Sequence, residues 1–155
     1  DYMGFLADDE KYFYIFEKIA KLGLPVILHA GYDPLSPDLI HCTPEMARKL
    51  FDSVPDLTLI LAHAGGERCW DEVEKYLCGL QGNLYFDIAY TAGIIGDEQL
   101  TRIIKSHGAD RILFASDCPW HSPDKELEVL NSLPLTTEEK EQILYKNALR
   151  LLKAE

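Results

Sequence analysis

Positive charge is scarce in this sequence: 15 Lys and Arg stand against 26 Asp and Glu, a formal net charge of −11 at pH 7. Nucleic acid and anionic membrane are therefore not expected partners, because both would be repelled. Cysteine is sparse too. Cys42, Cys69, Cys78 and Cys118 form no Cys-x-x-Cys pair and no small disulfide scaffold; free thiols in a reducing, cytoplasmic compartment are expected. No apolar run approaches the ~20 residues of a membrane span, and no signal peptide is visible. The glycine-rich phosphate loops G-x-G-x-x-G and G-x-x-x-x-G-K-[ST] are missing, as is the G-x-S-x-G elbow, which removes nucleotide-cradling and serine-hydrolase chemistry of those types. There is no low-complexity segment and no linker. The chain opens at Asp1 rather than Met and enters a helical pattern within a few residues, as a fragment of a longer protein would.

What is present is an ordinary globular composition, 47% apolar and 26% charged over 155 residues. That length supports a single domain, 1–155, with a real core. Asp8 to Leu22 carries apolar residues at helical spacing and is closed by Gly23. Leu24 to His29 reads as a strand, with Pro25 confined to its start. Ala30 to Thr43 is a long loop of the kind that carries function. Thr43-Pro44 starts a helix that stops before Pro55. Leu57 to Ala62 is an apolar strand ending at His63, and Glu67 to Leu80 the helix after it. Asn83 to Ala89 is the third strand, Asp97 to His107 a helix closed by Gly108, and Arg111 to Ser116 the fourth strand. Ser122-Pro123 caps a helix to Leu133. Thr136-Thr-Glu-Glu139 is a capping box opening the last helix, with Ile143, Leu144, Ala148, Leu151 and Leu152 as its apolar face.

Strands alternating with helices demand a parallel sheet with right-handed crossovers. Four such units fit half of an eight-unit barrel or a small open sheet with helices on both faces, and the pattern does not separate the two.

In either fold the C-terminal strand ends share one edge. His29, His63 and Asp117 all lie there, so they can converge despite their separation in sequence. Imidazole and carboxylate suit Zn²⁺, Mn²⁺ or Fe²⁺, and a histidine outside the metal's shell could serve as acid or base near neutral pH. Taken singly, each histidine could merely bond a strand-end carbonyl and Asp117 merely cap a turn; three at equivalent ends favour a site. Of the other candidates, His41 and Cys42 lie in the long loop, His121 near the site edge, and Asp87 in a strand whose end faces the site. His107 is expected to be a cationic partner of a helix C-terminus, Cys118 a packing residue, and Trp70 and Trp120 core or pocket wall.

Pro25-Val-Ile-Leu-His-Ala-Gly31, Leu59-Ile-Leu-Ala-His-Ala-Gly-Gly66, Tyr85-Phe-Asp87, Ile112-Leu-Phe-Ala-Ser-Asp-Cys-Pro-Trp120 and the closing Leu144-Tyr-Lys-Asn-Ala-Leu-Arg-Leu-Leu152 together resemble the amidohydrolase-related, metal-dependent hydrolase family, which includes the aminocarboxymuconate-semialdehyde decarboxylase group. The resemblance covers essentially the whole chain. It implies a (β/α)₈ TIM barrel of which this chain supplies strands five to eight and a C-terminal helix. It also implies a divalent metal, zinc foremost with manganese or iron as alternatives. His29 would be a metal ligand. Asp117 would bind the metal or activate its water, and His63 would be a second ligand or the acid/base group. The expected activity is hydrolysis of a small polar or cyclic substrate; the alternatives are decarboxylation of a carboxylated small molecule, or a non-catalytic half-barrel. One departure matters: the family's His-x-His pair on the first strand has no counterpart among His29, His41, His63, His107 and His121. The isolated chain is therefore expected to hold only part of a metal shell and to be inactive. Two unpaired edge strands would also make it self-associate, most simply as a dimer.

Overall fold

The structure is a computed structural model describing residues 4–153. Four strands, β1 (Pro25–Leu28), β2 (Thr58–Leu61), β3 (Leu84–Asp87) and β4 (Ile112–Leu113), form one parallel sheet in the order β1-β2-β3-β4. The connecting helices are α2 (Pro44–Ser53), α3 (Trp70–Tyr76) and α4 (Asp97–His107), preceded by α1 (Phe13–Lys21) and followed by α5 (Pro123–Ser132). The chain ends in α6 (Thr137–Glu141), a π-helical turn (Gln142–Lys146) and α7 (Asn147–Leu152).

Strand order resolves what periodicity left open. A doubly wound sheet reverses its order to put helices on both faces; here each strand simply follows its predecessor. Right-handed crossovers then place all connecting helices on one face, and α2 indeed contacts α3, and α3 contacts α4. This is the arrangement of a barrel wall, half closed. Between that wall and the helices lies one core, in which Leu50, Leu59, Leu61, Leu84, Phe86, Ile103 and Ile112 are fully buried.

Local chemistry sets most boundaries. The Thr43 side chain accepts from the Met46 amide, with Pro44 in the first turn of α2. Thr136 and Glu139 bond each other's backbone in the expected capping box. Gly108, at φ +107°, closes α4.

Several expectations are corrected. The first strand is not buried like its neighbours: as a sheet edge it leaves Ile27 62% exposed. The fourth strand shrinks to two residues, because Arg111 belongs to a 3₁₀ turn and the Phe114 amide turns away to the Ile143 carbonyl. The helix expected from Glu67 starts only at Trp70, since Arg68 takes φ +58° and the Glu67 amide bonds the Ala30 carbonyl across the loop. His107 is not a cationic cap. It is buried, stacked on Phe86 at 3.9 Å, and donates from Nε2 to the Leu84 carbonyl; burial pushes it down to about 4, so it is neutral at pH 7. Ser122 sits at the α5 N-cap without using its hydroxyl there. In the last helical segment Leu149 and Leu152 are exposed, and the residue that seats it is polar: Asn147 Nδ2 donates to the Ala109 and Ile112 carbonyls, each at 2.7 Å.

Candidate active site

On the sheet face away from the helices, at the C-terminal strand ends, lies a cavity of about 600 Å³, within the range of small-molecule sites. His29, His63, Asp87 and Asp117 line it, from the ends of β1, β2, β3 and the chain just beyond β4. Convergence at one edge is thus what the topology delivers. His41 and Cys42 are not among its lining residues; Cys42 is buried and its thiol is pushed up to about 12 by burial. All four cysteines are free. Trp70 is buried and donates from Nε1 to the His63 carbonyl, whereas Trp120 is 74% exposed at the cavity mouth.

The two histidines form a relay whose tautomers follow from its last member. His63 Nδ1 lies 3.0 Å from the Ala89 carbonyl, which can only accept, so Nδ1 carries the proton. In the neutral ring Nε2 is then a bare acceptor, and His29 Nδ1 donates to it at 3.0 Å. That leaves His29 Nε2 bare, buried and without a protein partner. Burial, then the nearby His63, hold His29 below the ordinary histidine range. A neutral imidazole whose other N–H is anchored is the form in which histidine binds a metal. The relay occupies both nitrogens of His63, which suits it to orienting and proton handling rather than ligation.

Backbone strain gathers at the same place. His63 (φ +61°), Tyr90 (φ +57°) and Asp117 (φ +60°) all line the cavity in the left-handed region. Such conformations cost of order 1–3 kcal/mol each and persist where surroundings over-determine them, typically at working sites. Asp87 supplies part of that determination. Its buried Oδ1 accepts from the His63 and Ala89 amides, both at 3.0 Å, and burial raises its carboxyl above the usual range. Asp87 therefore orients His63 from its backbone side while remaining at the cavity wall.

Glu67 was missed as a site residue. It lines the cavity at 4% exposure, with burial raising its carboxyl; only its place after the His63-Ala-Gly-Gly66 turn hinted at it. With Asp33, Glu67, Asp87 and Asp117 the lining holds four carboxyls and no Lys or Arg. An anionic ligand entering it needs a cation to offset that field. Among the described residues no three His, Cys, Asp or Glu side chains converge to hold a metal by themselves. His29 and Asp117 thus fit a divalent cation as part of a shell.

A parallel wall without order reversal, with its cavity at the C-terminal edge, places the chain in the TIM-barrel fold class as part of a barrel. Residues 1–154 match the amidohydrolase family, to which the chain belongs. It is 29% identical to gamma-resorcylate decarboxylase of Rhizobium radiobacter, over 74% of this chain and 39% of that enzyme. Among solved structures it resembles an uncharacterised TIM-barrel protein of Bordetella bronchiseptica (TM-score 0.74, 25% identity, 96% of this chain and 52% of that one). It also shares the fold of a dihydroxybenzoic acid decarboxylase of Polaromonas sp. JS666, solved with bound manganese and the inhibitor 2-nitroresorcinol (TM-score 0.68, 21% identity, 96% and 55%). The chain thus spans well under two thirds of these relatives' lengths.

Proposed function

We propose that the protein containing this chain is a metal-dependent decarboxylase of a carboxylated aromatic compound, rather than a hydrolase. The observation that carries the reading is the bare, buried Nε2 of His29, a residue that lines an acidic cavity. The curated relative's decarboxylase activity favours the lyase alternative over hydrolysis. His29 and Asp117 would hold the divalent cation, manganese or zinc, with the remaining ligands supplied outside these residues. When bound, the cation would neutralise the site and attract the oxygens of an anionic substrate.

The chain's own residues would do the rest. Tyr90 and Trp120, with Ile27, Pro34 and Leu35, give a planar ring apolar walls. Loss of CO₂ breaks the ring–carboxyl bond and leaves its electron pair on the ring carbon, which must take a proton. Glu67, whose carboxyl burial raises above the usual carboxylate range against the opposing pull of His63 and of Arg68 beside it, is the candidate donor, and His63 the group that orients the site around it. Incubated with gamma-resorcylate and Mn²⁺ or Zn²⁺, the protein containing this chain is expected to release CO₂ and resorcinol, and residues 1–155 alone to release none. Hydrolysis of amides or esters without CO₂ release from any hydroxybenzoate would overturn the assignment.

The unpaired edge of β1, with Ile27 exposed on it, supports self-association of the isolated chain as a two-fold dimer through that edge, the far side of β4 being covered by the C-terminal segment. Light scattering should give twice the monomer mass of 17.6 kDa; a monodisperse monomer would exclude it.

A further inference from the structure

The carboxylate of Glu126, in the first turn of α5, is completely buried at 0% exposure. No Lys or Arg pairs with it among the described residues. It is satisfied instead by three N–H donors from two different loops, with the Thr91 hydroxyl beside it sharing its single proton between Glu126 and the Ile88 carbonyl. From the loop after β3 come the Thr91 amide (3.0 Å), the Thr91 hydroxyl (3.0 Å) and the Ala92 amide (3.1 Å); from the loop after β4 comes His121 Nδ1 (2.5 Å). A buried carboxylate is costly unless its lone pairs are filled, so this convergence is a rigid staple between the two loops. Those loops carry Tyr90 and Asp117. Neither Glu126 nor His121 lines the cavity, but their neighbours do.

Tyr90 is pinned from both sides. Ala89, before it, is held by Asp87 through its amide and receives the His63 Nδ1 proton at its carbonyl. Thr91, after it, is held by Glu126. Between them Tyr90 keeps its left-handed backbone, its ring edge-on between His63 (6.2 Å) and His121 (5.2 Å). We infer that Glu126, acting with His121, is a positioning residue of the site. It fixes Tyr90 as the wall against which a substrate ring lies, and fixes the Ala89 carbonyl that sets the His63 tautomer. Its effect is transmitted through residues 89–92 and requires no contact with substrate.

The test is E126Q, which keeps the shape but turns one acceptor into a donor facing donors. In the metal-free protein, ¹⁵N spectra of the His63 ring should show the Nδ1–H tautomer in the wild type and a mixture with Nε2–H in E126Q. In the metal-loaded protein KM for gamma-resorcylate should rise about tenfold, roughly the loss of one hydrogen bond to a charged group, and kcat should fall as the His63 tautomer is lost. This kinetic arm rests on the proposed decarboxylase reading; the spectroscopic arm does not. If E126Q does not fold, H121F, which keeps a ring against Tyr90 and removes the donor to Glu126, should shift the tautomer in the same direction. An unmoved His63 tautomer in a folded variant overturns the inference whatever the activity. A shifted tautomer in a protein that decarboxylates nothing sustains it and discards the functional reading instead.

Discussion

Alanine at position 29 should strip the protein of its metal. His29 Nε2 is the one buried imidazole nitrogen at the site left without a partner, while its Nδ1 is committed to His63. Losing even an outer partner of a ligating histidine typically weakens metal binding 10–100-fold. Loss of the ligand itself should therefore cost at least about 100-fold in affinity, with decarboxylation falling in step. D117N, which keeps shape and removes charge, should behave similarly; H63F, which breaks only the relay, should fall in the 10–100-fold range. Metal content after dialysis, measured in the protein containing this chain, decides the matter. Wild-type content in both H29A and D117N would sink the ligand assignment, and H63F losing as much as H29A would make His63 a ligand rather than an orienting group.

What the sequence made legible was what local chemistry controls. A Thr before a Pro, a Thr–Glu capping box and a glycine after a helix each act within a turn, so α2, α6 and the end of α4 fall where their side chains put them. The strand ends were legible for the same reason: an apolar run that stops at His29, His63 or Asp117 must surface there. What escaped notice depends on partners far along the chain. Glu67 looked like the first residue of a helix, and is buried because its amide and carbonyl bond Ala30 and Tyr32. Glu126 and Asn147 sit in helices, yet the Thr91 and Ala92 partners of the first and both carbonyl partners of the second lie 34 or more residues away. The choice between half-barrel and open sheet was likewise non-local. Every βα unit has the same periodicity in both, and only the pairing order of the strands distinguishes them.

Gly31 shows how tightly that non-local part is built, and G31A should be among the most damaging small substitutions in the chain. Gly31 adopts φ +87°, and a Cβ there would lie 2.1 Å from the Glu67 amide nitrogen, 2.3 Å from its carbonyl oxygen and 2.5 Å from the Gly66 carbonyl carbon. These are backbone atoms, and no rotamer can move them aside. Relief requires separating the loop after β1 from the turn after β2, which breaks the Glu67 amide to Ala30 carbonyl bond (2.8 Å) and the Tyr32 amide to Glu67 carbonyl bond (2.9 Å). The left-handed backbone costs alanine about 1 kcal/mol or more, overpacking about 1–3 kcal/mol, and each lost hydrogen bond about 0.5–1.5 kcal/mol. A destabilisation of at least roughly 3 kcal/mol follows, a large fraction of the ~5–15 kcal/mol that holds a domain together. Gly93 provides the control, since it takes φ +75° with nothing within 4 Å of its virtual Cβ; G93A should cost only the backbone preference of about 1 kcal/mol. Urea denaturation of both variants separates clash from conformation, and equal losses would refute the close-approach argument. The same displacement should carry Glu67 out of the cavity wall, so any folded G31A protein should retain metal through His29 and Asp117 while losing the proton transfer assigned to Glu67.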